Sequence, residues 1–116
     1  MSLIGATPLD WAFKTECCGA GLSVSRTDLV SSLSGKILKD ANDRGAEAVI
    51  VACPMCHSNL DMRRTAINHT LQKPVNIPVL YITQAIGLAI GLSPNELGLN
   101  RHFVQVEFKE AKVCQE

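Results

Sequence analysis

Four of the five cysteines lie in two short pieces, Glu16-Cys17-Cys18-Gly19-Ala20-Gly21 and Cys53-Pro54-Met55-Cys56, with 34 residues between Cys18 and Cys53. This distribution constrains the fold more than any other feature. Thiolates form a soft-metal site only where loops held by a rigid scaffold bring them together. The chain between the two pieces therefore has to leave one cysteine loop and return to place the second beside it.

The local patterns supply such a path. Leu29, Leu33, Ile37 and Ala41, with Val30 and Leu38 beside them, form an apolar stripe at helical spacing. It predicts a helix capped by Ser25 or Thr27, running to about Asn42 or Arg44 and stopped by Gly45. The apolar, β-branched run over 47–52 reads as a buried parallel strand, which sets Cys53 at its carboxyl end. A second helix is expected from about Cys56 or Ser58 to Leu71, with Leu60, Ala66, Ile67 and Leu71 inward and with Arg63 and Arg64 on a solvated face. Residues 73–78, with two prolines, form a linker. Val79-Leu80-Tyr81-Ile82 is a second buried strand, and Thr83 can cap a third helix carrying Ile86, Leu88, Ala89 and Ile90. Ser93-Pro94-Asn95-Glu96 has the form of a capping box with proline at the first helical position. The tail from His102 alternates as an edge strand would. Residues 1–15 read as a loop whose aromatics, Trp11 and Phe13, cover the cysteine site. Repeated helix-then-strand order implies an α/β fold: a small three-layer, Rossmann-like domain with a parallel sheet of few strands.

With 116 residues the chain is one small domain spanning 1–116. Eleven basic and 11 acidic residues balance, so nothing points to nucleic acid or a membrane surface. The start lacks the pattern of a signal peptide, and the longest apolar stretch, Ala85 to Leu92, is too short to span a bilayer. In a cytoplasmic setting thiols stay reduced unless they bind metal or do redox work, and adjacent cysteines cannot bridge each other without strain.

Three chemistries remain. A Cys-x-x-Cys ahead of a helix suits a thioredoxin-type dithiol, but such a pair has no use for two further adjacent thiols. A zinc ion held by four thiolates is an alternative, although adjacent cysteines have an awkward bite for closing a tetrahedron on one ion. An iron–sulfur cluster has several metal corners, so Cys17 and Cys18 could ligate different irons. The cluster is the leading expectation, in an electron-transfer protein.

These residues resemble a known family. Cys17-Cys18-Gly19, continued by Ala20-Gly21-Leu22-Ser23, and Cys53-Pro54-Met55-Cys56, continued by His57-Ser58-Asn59-Leu60, are similar to the cysteine-rich CCG domain of the B-type subunits of heterodisulfide reductase. The resemblance runs from about Pro8 to Val104. It implies a cytoplasmic oxidoreductase component whose CCG domain holds a non-cubane four-iron four-sulfur cluster, with Cys17, Cys18, Cys53 and Cys56 as ligands. It implies reduction of the coenzyme M–coenzyme B heterodisulfide or a related disulfide, fed by partner iron–sulfur and flavin subunits.

One departure stands out. The family pattern begins with a further cysteine well upstream of the pair, and none of the 16 residues before Cys17 is a cysteine. The chain has no internal repeat. It therefore reads as the carboxyl-terminal part of a larger polypeptide with an incomplete CCG domain. That leaves the apo state as an alternative and an open sheet edge that favours self-association. Cys114 lies outside the motif and reads as a free thiol. His57, next to Cys56, is a candidate proton donor; a local hydrogen bond at the helix start competes with that role. Arg26 could steady an anionic group or be a plain surface charge, and His69 and His102 read as surface or satisfied core. The competing function is a non-catalytic metal or electron-relay module.

Overall fold

The computed structural model describes residues 1–108. The edge-strand reading beyond Phe108, and Cys114, lie outside them. The elements are α1 (Thr27–Asp43), β1 (Val49–Val51), α2 (Pro54–Asp61), α3 (Arg64–Thr70), β2 (Val79–Tyr81) and α4 (Ile82–Ala89), with 3-10 turns at Ser2–Ile4, Ala20–Leu22 and Leu99–Arg101.

Helix α1 forms where its stripe predicts and buries Val30, Ile37, Leu38 and Ala41. Leu29, in its first turn, stays exposed, and Leu33 is only partly buried. The cap differs from expectation: Arg26 holds the N-cap position without a side-chain cap, and Thr27 is already helical. The C-terminus closes with a left-handed Gly45. Its N–H donates to the Asn42 carbonyl at 3.0 Å, and the Ala46 N–H to the Ala41 carbonyl at 3.0 Å. That pair of bonds is the Schellman arrangement, which satisfies carbonyls the helix would leave open.

Strands β1 and β2 pair in parallel, with Val49 opposite Val79, Ile50 opposite Leu80 and Val51 opposite Tyr81. Successive side chains face opposite ways. Val49 and Val79 enter the main core with Ile37, Leu38, Leu60 and Ile67. Ile50 and Leu80 face the other way, into a cleft shared with Ala85, Leu88 and Ala89 of α4 and with residues of the N-terminal segment. The sheet is thus covered by helices on both faces, as the α/β reading requires. Of the alternating tail, residues 102–108 form no strand.

The expected second helix is two. It begins earlier, at Pro54, with Cys53 as N-cap and proline at the first helical position, where a missing N–H costs nothing. It breaks at Met62–Arg63, where the Arg63 backbone leaves helical geometry at φ −89° and ψ 18°. The break resets the phase. Ile67 stays buried, Ala66 turns outward, and Arg64 becomes a core residue 7% exposed, its guanidinium donating to the carbonyls of Leu60 and Val75. Neither arginine lies on a solvated face. Arg63 folds back toward Ser23 instead.

In α4, Thr83 is inside the helix rather than its cap, and Gln84 Oε1 accepts the Tyr81 N–H at 3.0 Å. Ile82, Ile86 and Ile90 point outward. The capping box at Ser93 does form: the Ser93 N–H donates to Glu96 at 2.8 Å, and the Glu96 N–H to Ser93 Oγ at 3.3 Å. Trp11 and Phe13 pack on the core. Trp11 lines the cleft beside Ala41 and Gly45, and Phe13 lies beside Lys36, Lys39 and Asp40. Both therefore sit along the carboxyl-terminal half of α1, not over the cysteine pair.

Candidate metal centre

The first cysteine pair is set by a left-handed Gly19 (φ +84°) at the start of the 3-10 turn. A Cβ there would lie 3.1 Å from Leu33 Cδ1 and 3.4 Å from Val30 Cγ2, so glycine permits both the backbone angle and the approach to α1. The Gly19 N–H points at Cys17 Sγ, 3.4 Å away. Cys18 turns inward. It is 1% exposed, and its carbonyl accepts a bond from buried Ser34 Oγ at 3.5 Å.

The second pair comes from the end of β1 and the first turn of α2. Cys53 is exposed, while Cys56 is partly buried and packs on the core. Cys18 Sγ and Cys56 Sγ are 3.4 Å apart, so the fold brings the two motifs into contact across 38 positions of sequence.

The two thiols of the second pair differ in acidity. The amides of Cys56 and Met55, unpaired in the first turn of α2, favour the Cys53 thiolate and hold its pKa below the usual value. Burial first, then the neighbouring Cys18 and Cys53 thiols, push Cys56 up to about 12. Without a cation Cys56 keeps its proton, and a cation bound there would displace it.

Three residues to which sequence reasoning gave no role in the site, Ser23, Asn59 and Arg63, form a hydrogen-bonded group beside Cys18. Asn59, 1% exposed, donates from Nδ2 to Cys18 Sγ at 3.5 Å and to Ser23 Oγ at 3.1 Å. Arg63 donates from Nε to Asn59 Oδ1 at 3.1 Å and from Nη2 to the Ser23 carbonyl at 2.8 Å. One signal was available: Asn59 and Arg63 lie three and seven positions after Cys56, the spacing of one helical face. Arg26, by contrast, is spent on exposed Asp28 and is a surface charge.

His57 stacks on Tyr81 at 4.4 Å and its Nε2 lies 3.2 Å from the Val79 carbonyl. A carbonyl only accepts, so Nε2 carries the proton. Burial, then nearby His102, lowers its pKa and keeps the ring neutral. His57, Asp61 and His102 bring ligand atoms within 4.8 Å of one another. The bonds around them speak against a cation. Gln84 takes the Tyr81 N–H on Oε1 and gives Nε2 to the Leu97 carbonyl at 2.9 Å, which fixes its amide. Its Nε2 then faces His102 Nε2 at 3.0 Å as a donor, so the buried His102 Nδ1 carries a proton and has no lone pair for a metal. Asp61, 1% exposed, accepts the N–H groups of Phe103 and Val104 at 3.0 and 3.1 Å. The trio anchors the tail to α2.

The donor set is soft and spread over two loops, which suits a soft metal held as one ion or as a cluster. The cleft of about 780 Å³ between α4 and the N-terminal segment is lined by none of the four described cysteines.

The cysteine-rich domain pattern of the CCG family matches residues 2–61, just over half of the chain. The chain belongs to the CCG cysteine-rich domain family. Over 107 and 109 residues, 90% of this chain in each case, it is 37% identical to the B-type subunits of the CoB-CoM heterodisulfide reductases of Methanosarcina acetivorans and Methanosarcina mazei. Over 101 residues it is 27% identical to the 8-methylmenaquinol:fumarate reductase membrane anchor subunit of Wolinella succinogenes. The chain spans 36% of the length of each of these relatives. No helix among the described residues is long and apolar enough to cross a membrane.

Proposed function

We propose that the chain is an iron–sulfur redox module of a heterodisulfide-reductase-like complex. It acts on a disulfide, the coenzyme M–coenzyme B heterodisulfide or a related one, at a non-cubane four-iron four-sulfur cluster held by Cys17, Cys18, Cys53 and Cys56. The observation that carries the shared thiol site is the approach of Cys18 to Cys56 at 3.4 Å with Cys17 and Cys53 left exposed around them. Family membership and the names of the relatives support iron and sulfide as its occupant. Cytoplasmic location, and partner iron–sulfur and flavin subunits that deliver electrons, belong to the same proposal. So does self-association of this piece through exposed apolar residues such as Ile86 and Ile90.

When bound, such a cluster supplies two electrons, one at a time, to a disulfide; with two protons, the S–S bond becomes two thiols. The chain's own residues would hold and shield it. Cys18 and Cys56 would anchor it on the protein side. Cys53, whose thiolate the first turn of α2 favours, and Cys17 would hold it on the solvent side, where a disulfide could approach. We include His57 in the site as the residue that braces Cys56 against β2. Its Nε2–H is committed to the Val79 carbonyl, so proton delivery through it would require that bond to open.

The test is anaerobic reconstitution with iron and sulfide, followed by an assay of heterodisulfide reduction with an artificial one-electron donor. Thiol release that is lost in Cys18→Ser supports the reading. A cluster that takes and gives electrons without thiol release would favour the electron-relay module. Zinc loading without sulfide would favour a structural metal.

A further inference from the structure

The geometry points to Asn59 as a positioning residue whose carboxamide, oriented by Arg63, donates a hydrogen bond to Cys18 Sγ and so sets the redox potential of the group Cys18 holds; this rests on the iron–sulfur reading. The orientation of the amide is not arbitrary. An arginine Nε–H can only donate, so the atom of Asn59 that it meets at 3.1 Å must be the oxygen. The nitrogen is thereby turned to Cys18 Sγ at 3.5 Å and Ser23 Oγ at 3.1 Å. Arg63 is locked in turn by the Ser23 carbonyl at 2.8 Å. Asn59 is 1% exposed and Ser23 8% exposed, so water does not substitute for these bonds.

A donor aimed at a ligating sulfur withdraws electron density and favours the reduced, more negative state. The Arg63 cation, passed on through the amide, acts in the same direction. Cys17 receives only the Gly19 backbone N–H, at 3.4 Å. The fold thus applies a side-chain device to Cys18 alone, through residues that no motif spacing of cysteines reveals.

Two measurements test it. In the metal-free chain, the side-chain amide signals of Asn59 are followed by ¹H–¹⁵N NMR. They are expected to shift in Cys18→Ala and in Arg63→Met and to stay in place in Cys17→Ala. In the chain reconstituted with iron and sulfide, Asn59→Leu, which keeps much of the volume, adds no charge and loses the donor, and Arg63→Met are expected to keep the metal content. Each is expected to lower the one-electron reduction equilibrium about tenfold, ~59 mV, while Arg63→Lys loses less. If Asn59→Leu fails to fold, Arg63→Met decides. Unmoved amide signals in Cys18→Ala, or wild-type potentials in both variants at full metal content, overturn the inference and leave the iron–sulfur reading intact. NMR shifts as expected in a chain that takes up no iron or sulfide would sustain the positioning of Cys18 and defeat the iron–sulfur reading.

Discussion

Each cysteine motif places one sulfur against the protein and one toward solvent. Cys18 is sealed under α1 and bonded by Asn59, and Cys56 packs on the core beside it. Cys17 and Cys53 are exposed: Cys17 receives the Gly19 N–H, and Cys53 receives the N–H groups of Cys56 and Met55 and the Cys56 thiol. The difference teaches that the two halves of the site have different owners. The inner half is part of the core and is determined by packing. The outer half is free to face whatever the centre acts on.

The comparison breaks most readily at Cys18. In Cys18→Ala iron uptake should fall at least tenfold, since loss of a partner that merely supports a ligand already costs about 10–100-fold in metal affinity. Unfolding by urea should show a loss of about 1–3 kcal/mol for the cavity and the stranded Asn59 donor. Cys17→Ala should change stability by less than ~0.5 kcal/mol, because Cys17 is exposed. Equal losses in the two variants would dissolve the distinction.

Asp61 sharpens it from the opposite side. This buried carboxylate lies on α2 near the site yet serves the tail, accepting the Phe103 and Val104 N–H groups. Asp61→Ala should cost about 1–3 kcal/mol, because the buried carboxylate's two charge-assisted hydrogen bonds to the Phe103 and Val104 N–H groups are lost. Iron uptake per folded chain should stay at the wild-type level. Loss of uptake without loss of stability would place Asp61 in the metal centre instead.

The smallest effect is one of acidity. Iodoacetamide should modify Cys53 before Cys56 in the metal-free chain, with Cys56 inert at neutral pH. The signs follow from the two shifts. The Cys53 pKa is lowered from 9.0 in the fold, so its contribution to stability is full above 9.0 and is lost as pH falls through the folded value. The Cys56 pKa is raised to about 12, so its contribution is full below 9.0 and is lost as pH climbs from 9.0 toward 12. A pH series of alkylation rates, read residue by residue by mass spectrometry, checks the order.

Much of this arrangement was legible in the sequence, because periodicity and turn chemistry are local. The α1 stripe, the stop at Gly45, the two strands and the capping box at Ser93 all depend on near neighbours, and they stand where the pattern put them. What failed to show depends on contacts made after folding. Arg64 looked like surface because arginines usually are, yet the carbonyls of Leu60, one turn back, and of Val75, beyond α3, receive it. Pro54 stands inside the Cys-x-x-Cys, two residues ahead of the expected helix start, yet it is the first helical residue. The helix break at Met62–Arg63 carries no proline or glycine to announce it, and it is this break that lets Arg63 reach Ser23. The alternation after His102 promised a strand, but Asp61 takes the N–H groups of Phe103 and Val104 that a neighbouring strand would need. The four clustered cysteines were visible at once; the pairing of an inner with an outer sulfur in each motif was not, since it is set by burial.

The central claim is that these thiols hold several iron ions and inorganic sulfide rather than one ion. Iron, zinc and acid-labile sulfide per chain, measured on protein purified without oxygen, test it most directly. Near-equal iron and sulfide, with both lost in Cys18→Ser and Cys53→Ser, is the result the account predicts. One zinc per chain without sulfide, or no metal in protein that is folded and reduced, would contradict it.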